Sequence, residues 1–94
     1  MPITIEKPDV FTMGALEFDE MFSVLLWNDD HNSMPHVVGC LMKVFGHTIH
    51  LANKIMAEAH EKGRAIAEVE SESDAKLHKS QLESFGLTVT LEKV

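Results

Sequence analysis

The chain has a single cysteine among its 94 residues, Cys40, so it cannot close an internal disulfide and a reducing compartment suits it. Basic residues are scarce: 8 Lys and Arg stand against 15 Asp and Glu, for a formal net charge of −7. That balance argues against duplex nucleic acid and anionic membrane as main partners, because both are held by basic patches that displace counterions. No apolar run reaches the ~20 residues of a spanning helix. The first residues have neither the apolar core of a secretory signal nor the Arg- and Ser-rich character of a transit peptide. Repeats and low-complexity tracts are lacking too. A hydrophobic content of 45% is enough for one modest core, and the expectation is a soluble, cytoplasmic, monomeric protein.

What is present falls into short periodic segments. Residues 1–20 carry Pro2, Pro8 and Gly14 among acids and hold no period, which reads as a flexible acidic arm ahead of a folded domain over 21–94. Met21–Trp27 is β-branched, aromatic or aliphatic throughout, as in a central strand buried on both faces. Ser33 is placed to cap a helix with Pro35 in its first turn, a core stripe of Val37, Val38, Leu41, Met42 and Phe45, and a stop at Gly46. Cys40 belongs to the same helix and reads as a small buried hydrophobe. Thr48 caps a second helix with a seam of Ile49, Ala52, Met56 and Ala59, ended by Gly63. Arg64–Glu70 alternates as a strand with Ala65, Ala67 and Val69 inward. A third helix begins at Ser73 and stops at Gly86, and residues 87–92 alternate as the last strand. The order β-α-α-β-α-β predicts an α+β domain, a three-stranded antiparallel sheet with three helices on one face.

The chemistry concentrates where the first strand breaks off. Asn28, Asp29 and Asp30 follow Trp27 directly, and alone they read as an Asx-turn with solvated acids. His60, one turn before Gly63, supplies another acceptor at the end of the second helix. An amide oxygen, carboxylates and a neutral imidazole are what a free α-amino group needs, since that group is a cation with three donors near neutral pH. Met34, Val37, Met56 and Leu87 are apolar residues that such a fold brings beside those acceptors, and methionines suit a pocket for a bulky guest as well as they suit a core. The only close histidine pair, His47 and His50, lacks supporting cysteines or carboxylates, so no metal site is expected. Neither a nucleophile elbow nor an oxyanion glycine pattern is present, which disfavours a His/Asp hydrolase.

These residues, in this order and spacing, resemble the ClpS family of adaptors that present N-degron substrates to Clp-type AAA+ unfoldases. The likeness is carried by Leu26-Trp27-Asn28-Asp29-Asp30, Met34, Val37-Val38, Ile55-Met56 through His60 to Gly63-Arg64-Ala65, and Thr90-Leu91-Glu92-Lys93. It implies that Asn28, Asp29, Asp30 and His60 hold the substrate's α-amino group. The first side chain, Phe, Tyr, Trp or Leu, would then enter a pocket of Leu26, Trp27, Asn32, Met34, Val37, Met56, Ala59 and Leu87, with Met34 as gatekeeper against β-branched guests. No cofactor is implied, and the chain would be an adaptor and not an enzyme. The partner would be the N-domain of a ClpC- or ClpA-type unfoldase, docking roughly over Glu68–Lys79. The chain departs from the family at His31-Asn32-Ser33 and Ala59, and its short Phe85-Gly86 link is similar to actinobacterial, cyanobacterial and plastid relatives that serve ClpC; a plant or algal source would place it in the plastid stroma. The rival reading is a divergent module of the same fold that binds the unfoldase without reading N-terminal residues.

Overall fold

A computed structural model describes residues 20–94, so the acidic arm, Glu20 apart, lies outside the described residues. Strand β1 (Met21–Trp27) leads through a turn into α1 (Met34–Phe45) and α2 (Ile49–Lys62). Then follow β2 (Arg64–Ser71), α3 (Glu72–Ser84) and β3 (Thr88–Lys93). The sheet is antiparallel with strand order β2-β1-β3, which puts the most apolar strand in the middle. Ser23, Val24, Leu25 and Leu26 are all buried, as a central strand requires. Val24 and Leu26, with Ala65, Ala67 and Val89 of the flanking strands, pack against Val38, Leu41, Ala52, Ile55, Ala59, Ala75 and Leu82 of the three helices. Leu25 points to the other face by the two-residue alternation of a strand.

The helix starts and stops follow local chemistry. The Ser33 hydroxyl accepts from the His36 N–H at 3.2 Å, and Thr48 does the same for Leu51 at 3.2 Å. Gly63 closes α2 at φ +93°, a left-handed conformation that other residues adopt only with strain, and its N–H returns to the Ala59 carbonyl. Cys40 is buried and free. Burial pushes its thiol above the ordinary value, with Lys43 opposing only in part, so it behaves as a packing group.

Three expectations fail for identifiable reasons. Val69 is 41% exposed instead of inward, because the β1–β2 ladder slips: Val24 faces Glu68 while Leu25 faces Ile66. Ala67 is the extra residue of this bulge, and every side chain beyond it changes face. Glu70 is thereby turned toward α3, where its carboxylate meets His78 Nδ1 at 2.7 Å. Ile49 is 54% exposed and Met42 37% exposed, since the α2 seam runs through Ile55 instead and the α1 stripe centres on Val38 and Leu41. Helix α3 starts at Glu72, not Ser73: Ser71 still pairs with Met21, so strand passes straight into helix. Glu72 and Asp74 in its first turn offset the helix dipole in place of a side-chain cap.

Candidate functional site

The β1–α1 turn is built around one carboxylate. Asp29 Oδ1 accepts from the backbone N–H groups of His31 at 2.9 Å and Asn32 at 3.0 Å, which makes the Asx-turn. The Asn32 side-chain amide donates to both carboxylate oxygens, at 3.1 and 3.0 Å, and the Thr88 hydroxyl adds a bond of 3.3 Å to Oδ2. Burial pushes the Asp29 carboxyl up. The bonds from Asn32, His31 and Thr88 outweigh it and hold the group below the ordinary value of 3.8.

Asn32 also reaches across the fold, donating to the Gly86 carbonyl at 2.9 Å. One step along, His36 Nε2 lies 2.8 Å from the Phe85 carbonyl. The short link between α3 and β3 is therefore pinned to the turn after β1. On the other side, the Asn28 N–H donates to the Gly63 carbonyl at 2.9 Å, tying the same turn to the end of α2 and so to His60 one helical turn earlier. Three chain segments distant in sequence thus meet at one end of the sheet, where Trp27 pairs with Arg64 and Thr88.

They enclose a cavity of about 230 Å³. All twelve residues singled out from the sequence line it: Asn28, Asp29, Asp30 and His60 with Leu26, Trp27, Asn32, Met34, Val37, Met56, Ala59 and Leu87. Leu26, Ala59 and Leu87 are buried and form the apolar part. Met34, in the first turn of α1, is 47% exposed and stands at the margin. Trp27 lines the cavity from the end of β1, but its indole N–H is engaged by Thr90 Oγ1 at 2.7 Å, under the Arg64 guanidinium 5.4 Å from the ring centre. Asn28, Asp30 and His60 are exposed, and among the described residues nothing takes up their side-chain hydrogen-bonding groups. The arrangement can receive a cation with several donors directly above an apolar socket.

Thr88 and Gly86 belong to this framework, and the sequence reading missed both. The signal for Thr88 was a hydroxyl opening a strand otherwise read for its apolar alternation. Among the described residues no group of three His, Cys, Asp or Glu side chains is placed to hold a metal, and His47 Nε2 is instead 2.8 Å from the Ala67 carbonyl.

The family model described as "ATP-dependent Clp protease adaptor protein ClpS" matches residues 17–90. The chain belongs to the ClpS family. This ClpS is an adaptor of the Clp protease, not an enzyme. It is 36% identical over 97 residues to the ATP-dependent Clp protease adapter protein ClpS of Oleidesulfovibrio alaskensis, covering 97% of this chain and 93% of that protein. It is 42% identical over 72 residues to the chloroplastic adapter CLPS1 of Arabidopsis thaliana, covering 76% of this chain and 45% of that one. The structure of Agrobacterium tumefaciens ClpS2 bound to L-phenylalaninamide superposes with a TM-score of 0.71 at 26% identity, over 81% of this chain and 99% of the other. The three helices and antiparallel sheet of this ClpS match that fold. No helix among the described residues is long and apolar enough to cross a membrane.

Proposed function

We propose that this ClpS binds the free α-amino group and the bulky apolar first side chain of protein substrates and hands them to a Clp AAA+ unfoldase. The observation that carries the reading is the set of acceptors Asn28, Asp30 and His60, which meet no side-chain partner among the described residues, on the same cavity as Leu26, Ala59 and Leu87. At about 230 Å³ the cavity is smaller than the ~300–1,000 Å³ of sites for drug-sized molecules, which favours one side chain as guest. Phe, Tyr, Trp and Leu are the guests that an apolar wall with two adaptable methionines takes. L-phenylalaninamide, seen with the Agrobacterium protein, has the same two parts, a free amine and an apolar ring.

In this reading Asp29, already bonded to His31, Asn32 and Thr88, frames the turn, and Asp30 is the carboxylate that meets the amine. Burying a Phe-sized side chain contributes at most about 3 kcal/mol, and each hydrogen bond to a charged group roughly 1.5–3 kcal/mol. Association costs at least about 4 kcal/mol, so neither the socket nor a single amine contact suffices. The test is fluorescence anisotropy with a Phe-led peptide before and after N-terminal acetylation. Acetylation removes the charge and two donors, so binding should nearly vanish; equal affinity for the two forms would refute the amine clamp.

The unfoldase would dock away from this end of the sheet, over Glu68–Lys79 of β2 and α3, where Leu77 is an exposed apolar residue. The short Phe85-Gly86 link favours a ClpC-type partner over ClpA. An array varying only the first residue separates this function from a scaffold of the same fold, which would show no Phe or Leu preference.

A further inference from the structure

A second apolar depression borders the first. It lies between α1 and α2, encloses about 430 Å³, and is lined chiefly by Met34, Val38, Gly39, Met42, Ile49 and Met56. Met34 and Met56 line both depressions and form the partition between them. Met42 and Ile49, which the helix periodicity placed in the core, are instead exposed on this groove. The groove therefore continues the proposed substrate cavity across a partition of two flexible, polarisable side chains.

Gly39 gives the groove a second peculiarity. Glycine in the middle of a helix weakens it relative to alanine, so its presence needs a reason. Crowding is not that reason, because a Cβ built at Gly39 would meet no heavy atom within 4 Å. What the missing side chain does is leave the wall of the groove bare.

An extended peptide sends alternate side chains to the same side, with the first and third about 6.6 Å apart and the second pointing away. Met34 and Met56, which line both depressions, make the groove the continuation of the cavity on that side. We propose that a substrate with its first side chain in the cavity runs on across this partition, and that the α1–α2 groove is a subsite for an apolar side chain at its third position. The subsite deepens, and rests on, the reading of the cavity as a socket for the first residue. Three methionines along it suit guests of varied shape, so it adds affinity for Leu, Met or Phe there without selecting one.

The test uses the full chain and labelled peptides that begin with Phe and carry Leu or Ser at position two, three or four. Leu at position three should tighten binding roughly fivefold over Ser, and Leu at position two should not. Gly39→Gln, which fills the groove, and Met42→Gln, which makes it polar, should each shrink that gain to within about twofold, whereas Gly39→Ala keeps it. Thermal melts establish that each variant is folded. No gain at position three, or a gain that survives both Gln substitutions, overturns the subsite. So does concentration-dependent dimerisation that Met42→Gln abolishes, because the groove would then be covered by a second copy. Acetylated versions of the same peptides keep the two ideas apart: if acetylation leaves affinity unchanged the first-residue reading fails, and if it abolishes binding while position three is silent only the groove proposal fails.

Discussion

On one side of the cavity mouth the Asp29 carboxylate takes four donors and joins the β1–α1 turn to the start of β3. On the other side Asn28, Asp30 and His60 meet no side-chain partner among the described residues. Asp29 and Asp30 are neighbours of the same chemical type. The first is occupied by the fold and the second faces solvent, so the turn supplies both a rigid frame and open acceptors. Under the proposed function a single Asn-Asp-Asp string would serve as an Asx-turn and, with His60, as a cation collar at once, with the duties divided between Asp29 and Asp30.

Breaking the frame should have the largest effect. Asp29→Ala strands the donors of Asn32, His31 and Thr88, and is expected to cost about 1–2 kcal/mol, lowering the melting temperature by roughly 5–10 °C. Binding of a Phe-led peptide should fall about a hundredfold with it, because each lost charged contact is worth roughly 1.5–3 kcal/mol and the whole collar is displaced. Asp30→Asn should instead weaken that peptide about ten- to fiftyfold in anisotropy, the loss of one charged hydrogen bond, with an unchanged melting temperature. A thermal shift for Asp30→Asn equal to that of Asp29→Ala would erase the contrast.

Acid sharpens the same comparison. The Asp29 carboxyl is held below its ordinary value in the folded chain, so its stabilising contribution is fully present above pH 3.8 and is lost as pH falls through the lowered folded value. Chemical denaturation at pH 5 and at pH 3 should show a loss of stability that Asp29→Asn reduces. The smallest effect is expected of Asn32→Ala, which frees the Gly86 carbonyl and shifts Leu87 in the socket wall. Overall affinity should change by about threefold, and the preference between Phe and Leu as first residue should change with it.

The sequence made the elements visible where one face is buried and one is wet. Ser33, Thr48 and Gly63 marked the helix ends because capping is local chemistry, and the β1 run announced its central place by having no polar face. Val69 escaped that logic: a bulge at Ala67 depends on how two strands pair, which no period within either strand records. Met42 and Ile49 escaped for a different reason, since periodicity shows which residues share a stripe and not whether a neighbour covers it. The cavity residues were legible through spacing and family likeness together. What stayed hidden was the bonding that separates Asp29 from Asp30, because the residue types alone do not say which carboxylate closes the Asx-turn, and one of its bonds comes from Thr88, 59 positions away.

The bond from the Asn28 N–H to the Gly63 carbonyl has a practical corollary. It lashes the collar to the last turn of a helix, the part of any helix that opens most readily. The deuterium uptake of this one amide is therefore a built-in gauge: slow exchange reports the two segments closed together, and faster exchange at Asn28 than within β1 would register the collar parting while the sheet remains whole.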